Sequence, residues 1–195
     1  MTGVAARDVT AYLGLGGNMG DRWDCLRRGM LALMDRPLLT VTGISGVWES
    51  AYVGPGRQDP YLNLTCSLRT ALPAEDLLRV CQEIERAAGR RPDGHMKPRP
   101  LDLDILLYGD ERRGDRLLTL PHPRLGERGF VLAPLAELAP DLVLPDSGET
   151  AVAAWARIRA DQASELHLLE EPLVPSRATA GGEEEWRAAL AVHCR

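Results

Sequence analysis

The chain has 195 residues, 45% of them hydrophobic, which is enough for one domain with a full core and too apolar for a disordered chain. A net charge of −5 argues against a general nucleic-acid or membrane-surface binder. Cys25, Cys66, Cys81 and Cys194 are scattered, with no CxxC pair and no histidine at ligand spacing. They read as free thiols, mostly small core residues, in a reducing compartment rather than as a zinc site.

Val9 to Leu15 reads as a first strand and Gly14 to Gly20 as a glycine-rich turn. Asp21 is an N-cap, and Leu26, Met30, Leu31 and Leu33 form the stripe of a helix that ends near Pro37. Leu38 to Trp48 reads as a strand and Val53 to Gly56 as a loop. Tyr61 to Arg69 alternates, with Leu62, Leu64, Cys66 and Leu68 on one face and Tyr61, Asn63, Thr65 and Ser67 on the other. Pro73 opens a helix in its first turn, with Leu77, Leu78, Cys81, Ile84 and Ala88 buried and Gly89 at C′. A polar loop, Arg91 to Pro98, precedes a strand that starts after Pro100. Beyond it come a charged turn from Glu111 to Arg116 and a short strand from Leu117 to Leu120, stopped by Pro121-His122-Pro123. Helices follow over Arg128 to Leu138, Thr150 to Ile158 and Glu183 to Val192.

The order β-α-β-β-α-β is that of a ferredoxin-like α+β fold, a mainly antiparallel sheet with helices on one face, here with C-terminal additions. Residues 1–145 are expected to form the domain. Residues 146–195 read as a helical extension and not as a separate domain. No signal-peptide core precedes the first strand and no apolar run could cross a bilayer, so the expected location is the cytoplasm.

The most informative segment is Leu101-Asp102-Leu103-Asp104-Ile105-Leu106-Leu107-Tyr108-Gly109. In a strand, Leu101, Leu103, Ile105 and Leu107 share one face, and Asp102 and Asp104 share the other, about 7 Å apart. Neighbouring carboxylates repel and lose hydration unless something positive sits between them. Mg²⁺ suits such a pair, because it takes hard oxygen ligands and often one or two carboxylates plus phosphate. The plainer reading is an edge strand with a wet face. The residues before the strand favour the metal: from Arg86 to Lys97 and Arg99 there are five cations and one acid, Asp93.

Other motifs are weaker. The glycine turn fits a dinucleotide fingerprint poorly, since its third glycine comes late and no acid follows at the expected distance. His122, held between two prolines, and Arg128 suit a phosphate site. Tyr61 and Asn63 on one strand face suit a flat heterocycle, although taken alone they are better explained by ordinary sheet packing. Phe130 reads by default as a helix core residue.

Several of these segments together resemble one family. They are Gly16-Gly17-Asn18-Met19-Gly20-Asp21, Tyr61-Leu62-Asn63, the run from Pro98 to Gly109, Pro121-His122-Pro123-Arg124-Leu125, and Glu127-Arg128-Gly129-Phe130-Val131-Leu132. Over about Val9 to Pro145 the chain resembles the 6-hydroxymethyl-7,8-dihydropterin pyrophosphokinases of folate biosynthesis. The resemblance implies transfer of pyrophosphate from Mg-ATP, the co-substrate, to the pterin hydroxymethyl group, with AMP released. It implies that Asp102 and Asp104 hold two Mg²⁺ ions and that Tyr61 and Phe130 sandwich the pterin while Asn63 reads its edge. Ser50, Ala51 and Val53 would form the pterin rim. Arg90, Arg99, His122 and Arg128 would serve catalysis at the phosphates, with Gln82, Glu85, Ile105 and Thr119 at ATP. The implied partners are these two small molecules, with no nucleic acid or membrane, and a monomer is expected. Gly17 stands where the family often has Ser, Met96 where many members have Trp, and Pro92 and His95 at positions basic in some members. The competing readings are a non-catalytic nucleotide- or pterin-binding module and a small NAD(P)-dependent oxidoreductase.

Overall fold

The structure is a computed structural model, and it describes residues 8–90, 97–162, 165–174 and 182–192. Pro92, His95, Met96 and Cys194 lie outside the described residues.

The first strand, β1 (Val9–Gly17), is followed by helix α1 (Arg22–Met34). Asp21 caps α1 by accepting the Asp24 N–H at 2.9 Å. Next come β2 (Leu39–Ile44), β3 (Trp48–Ser50) and β4 (Tyr61–Thr70), then α2 (Ala74–Ala87) and β5 (Asp102–Tyr108). Two short strands, β6 (Arg113–Gly114) and β7 (Thr119–Leu120), pair as a separate ribbon. Helices α3 (Gly129–Leu138) and α4 (Ala151–Gln162), strand β8 (Leu166–Leu168) and helix α5 (Glu183–Val192) complete the described chain.

The main sheet has the order β5-β1-β4-β3-β8, with β2 also paired to β4, and all of its pairings are antiparallel. This is the ferredoxin-like α+β arrangement expected from the element order. Helices α1 and α2 back one face, where Leu13, Leu15, Leu26, Met30, Leu62, Leu64, Leu77 and Leu103 form the main core. Part of the other face is covered by α3 and α4 over a second apolar cluster around Leu106, Leu107, Leu132 and Leu135.

Several local expectations are revised. The predicted strand from Leu38 to Trp48 is two strands. Ser45 breaks it, because its hydroxyl accepts the Thr65 N–H at 2.9 Å in place of a ladder bond, and Leu38 is exposed at φ 65°. Pro73 is the N-cap of α2 and not its first-turn residue. The alternation of β5 holds through Ile105 and then fails. A register shift against Tyr12 and Leu13 passes over Leu106, so Leu106 and Leu107 both join the second cluster.

The glycine segment is the largest revision. Gly14, Gly16 and Gly17 lie within β1 and not in a turn. A Cβ at Gly17 would lie 2.1 Å from the Pro100 carbonyl oxygen, so glycine there permits close approach of two backbones. Of this segment only Gly20, at φ 66°, has the left-handed conformation of a turn. Because the sheet is antiparallel, the parallel frame of a dinucleotide-binding oxidoreductase is missing.

The extension adds β8 to the edge of the sheet beside β3. On α5, Trp186 and Leu190 are fully buried in the main core, and Arg187 bonds the Met34 carbonyl and Asp35 at the end of α1.

Candidate active site

The central strands set the site out in rows. Gly16 of β1 pairs with Asn63 of β4 on one side and Asp102 of β5 on the other; Gly14 pairs in the same way with Thr65 and Asp104. Neighbouring strands lie about 4.8 Å apart, so each acid is about 10 Å from its partner on β4, with only glycine between them. The missing side chains make a flat floor. The resulting cleft, 410 Å³ in volume, is of ligand size.

Asp102 and Asp104 stand on one wall, as the alternation predicts. Asp102 is ion-paired with Arg90 and, at 2.7 Å, with Arg99. Arg90 also pairs with the buried Glu85, which accepts the Leu103 N–H at 2.7 Å. Arg90 is reached by a reversal at Gly89, whose φ of 94° suits glycine at the end of α2. Asn18 holds Arg99 in place: its Oδ1 accepts the Arg99 N–H at 2.9 Å and its Nδ2 donates to Gln58 and the Asp59 carbonyl. Asp104 loses solvation within the cleft, and with repulsion from Asp102 this raises its pKa. Burial first, then Asp102, raises that of Glu85.

The opposite wall comes from the segment before α3. His122 is pushed down to about 4 by burial and by Arg128 and Arg124. It is therefore neutral at pH 7. Its Nδ1 accepts the Arg124 N–H at 3.1 Å, which leaves the ring hydrogen on Nε2. The guanidinium of Arg128 lies 5.4 Å from the Phe130 ring centroid. Phe130 is half-buried and lines the cleft, so it is not the plain core residue that periodicity suggests.

Tyr61, Asn63, Ser50, Ala51 and Val53 line the remaining end. Asn63 commits its amide hydrogens to Ser50 Oγ at 3.0 Å and the Trp48 carbonyl at 3.3 Å. A Cβ on Gly16 would come within 2.9 Å of the Asn63 carboxamide oxygen, so that glycine also makes room for the amide.

The structure therefore brings twelve of the predicted positions to one cleft: Ser50, Ala51, Val53, Tyr61, Asn63, Arg90, Arg99, Asp102, Asp104, His122, Arg128 and Phe130. Glu85 sits one layer behind, bonded to Arg90. The side chains of Gln82 and Thr119 are exposed, that of Ile105 is in the core, and none of the three lines the cleft. Among the other lining residues are three polar ones that the sequence did not assign to the site. Tyr52 stacks on Tyr61 with centroids 6.3 Å apart and planes 20° apart. Thr65 and Arg124 also line the cleft.

Among the described residues no group of three or more His, Cys, Asp or Glu could hold a metal. The fit to a metal rests on two carboxylates. Both are hard oxygen donors, on one face of one strand, facing the same cleft, and they repel each other. Such a set matches Mg²⁺, which completes its shell with water and phosphate.

Fold and site together define an α+β protein with a cleft lined by paired acids, guanidinium groups and aromatic rings. The family model described as 7,8-dihydro-6-hydroxymethylpterin-pyrophosphokinase (HPPK) matches residues 12–140, and the chain belongs to that family. It is 42% identical over 128 residues to the 2-amino-4-hydroxy-6-hydroxymethyldihydropteridine pyrophosphokinase of Bacillus subtilis, covering 66% of this chain and 77% of that one. The protein of the same name from Methylorubrum extorquens is 40% identical over 148 residues, covering 76% of this chain and 92% of that one. In fold, the chain is similar to a triple mutant of Plasmodium falciparum HPPK-DHPS solved with pteroate. The TM-score is 0.65 at 13% identity, covering 85% of this chain and 47% of that one. The chain thus spans about half the length of that solved structure.

Proposed function

We infer that this chain is an ATP-dependent pyrophosphokinase that transfers pyrophosphate from ATP to 6-hydroxymethyl-7,8-dihydropterin in folate synthesis and releases AMP. Family membership supports the reaction. The observation that carries the assignment of residues is the convergence of Asp102, Asp104, Arg90, Arg99, Arg128 and His122 beside Tyr61, Asn63 and Phe130.

Phosphoryl transfer depends on position and charge more than on covalent help. Arg90, Arg99 and Arg128 supply fixed positive charge where the phosphate chain develops negative charge. Arg90 and Arg99 neutralise Asp102 in the free protein, so an incoming triphosphate gives them a second anion to hold. Neutral His122 offers an Nε2–H donor. Tyr61 and Phe130 stack on the pterin. Asn63, with its amide hydrogens committed to Ser50 and Trp48, offers its oxygen to donors on the pterin edge. Glu85 orients Arg90, while the exposed Gln82 and Thr119 serve the nucleotide outside the cleft proper and Ile105, its side chain in the core, does so only through its backbone. Asp102 and Asp104 would hold two Mg²⁺ ions, which when bound supply charge neutralisation and orient the phosphate and hydroxyl oxygens.

We assign the domain to residues 1–145 and 146–195 to an extension of it, whose described elements α4, β8 and α5 pack on the domain. We take the protein to be a monomer, and the free thiols Cys25, Cys66 and Cys81 fit the cytoplasm. Among the described residues no helix is long and apolar enough to cross a membrane.

Chromatography of the products tests the reading. With ATP, Mg²⁺ and the hydroxymethyl pterin, AMP and pterin diphosphate form in equal amounts. ADP as product, or ATP binding without AMP formation, would refute it.

A further inference from the structure

Helix α3 starts without a cap of its own. Arg128 occupies the N-cap position and its side chain makes no bond to the first turn, where Ser, Thr, Asp or Asn ordinarily accepts one. The missing bond comes from the extension. Gln162, the last residue of α4, accepts the Gly129 N–H at 2.7 Å through Oε1 and donates through Nε2 to the Glu127 carbonyl at 2.9 Å. One carboxamide thus grips the peptide groups on both sides of Arg128. A Cβ at Gly129 would lie 2.7 Å from Gln162 Oε1 and 3.2 Å from the Trp155 ring, so the grip needs glycine there.

The helix behind the clamp is itself anchored. Ala151, Ala154 and Ile158 are buried in the second cluster, and Trp155 meets Trp48 edge-on at 6.3 Å. Arg157 adds a bond to the Gly126 carbonyl at 3.4 Å. The backbone around Arg128 is therefore tied to α4 as well as to its own helix, where the Val131 and Leu132 N–H groups donate to the Arg128 carbonyl at 3.1 and 2.9 Å.

We propose that Gln162 is a positioning residue for the reaction, holding the Arg128 backbone so that its guanidinium stays over Phe130 and faces the phosphates. The inference rests on Arg128 being the phosphate-binding cation described above.

Steady-state AMP formation by the full chain tests it, with wild type, Gln162→Ala, Arg128→Ala and the double variant. Gln162→Ala is expected to lower kcat about tenfold, with KM for ATP and pterin within about threefold, as for loss of transition-state positioning. In the Arg128→Ala background the same change is expected to alter kcat by less than about twofold, because its target is gone. Gln162→Glu keeps the acceptor, loses the donor and falls between; it replaces Gln162→Ala if that variant does not fold. If Arg128→Ala is impaired while both Gln162 variants turn over like wild type, the inference fails alone. Equal losses in both backgrounds would make Gln162 structural and also overturn it. A wild-type rate in Arg128→Ala would overturn the reading of the cleft first, and the inference with it.

Discussion

The guanidinium of Arg99 lies 2.7 Å from the carboxylate of Asp102, on the side away from the contact with Arg90. Asp102 is thus held by two cations, whereas Asp104, two residues on, has its pKa raised by lost solvation and by Asp102 itself. The two acids line one cleft but stand in opposite electrostatic positions.

This difference separates their effects on stability. Asp102→Ala removes the carboxylate shared by two arginines, leaving Arg90 with Glu85 and Arg99 with the Lys97 carbonyl, and is expected to cost about 1–2 kcal/mol in metal-free buffer. Asp104→Asn removes a repelled charge and should be neutral or stabilising by up to about 1 kcal/mol after screening by solvent. Urea unfolding at pH 7 with EDTA measures both. Equal destabilisation would contradict the asymmetry.

The glycine floor gives a second test. At Gly14 a Cβ would make only ordinary contact with Leu106, 3.5 Å away, whereas at Gly16 it would press on the Asn63 oxygen at 2.9 Å. Gly14→Ala is expected to leave KM for the pterin within about twofold, and Gly16→Ala to raise it about tenfold by displacing the amide proposed to read the ring. Initial rates at saturating ATP decide between equal and unequal effects.

His122 carries a pH signature. Its folded value of about 4 lies below the ordinary 6.5. Between those values the unfolded chain binds a proton that the folded chain does not. The contribution is therefore complete above pH 6.5 and declines as pH falls towards 4. The stability of wild type relative to His122→Gln should drop by up to about 3 kcal/mol from pH 7 to pH 4. Asp104 and Glu85 act in the opposite direction, but they are present in both proteins and cancel in the difference. A difference that stays flat across this range would contradict the buried neutral ring.

Helix α5 is expected to stabilise without serving the cleft. Trp186 is only 1% exposed and none of α5 lines the site. Trp186→Ala should cost about 3 kcal/mol. Below the unfolding transition both KM values should stay within about twofold of wild type. A large KM change would tie the extension to the substrates more broadly than through Gln162.

What was legible in the sequence followed from periodicity. Alternation placed Asp102 and Asp104 on one face and Tyr61 and Asn63 on another strand, and element order arranged those strands in one sheet. What was not legible depended on contacts between distant segments. Gly14, Gly16 and Gly17 read as a turn because glycine is flexible. Their actual use is to clear a floor and admit the Pro100 carbonyl, which only the packed strands reveal. The bulge at Leu106 leaves no trace in an unbroken apolar run. Tyr52, Arg124 and Gln162 acquire their places only when loops and α4 fold over the sheet, and β8 is too short to announce itself.

The most direct test is the rate of AMP formation by purified Asp104→Ala with saturating ATP, pterin and Mg²⁺. A fall of about a thousandfold or more, roughly 4 kcal/mol in the barrier, is predicted with the fold intact. Turnover near the wild-type rate would contradict the role given to the acid pair.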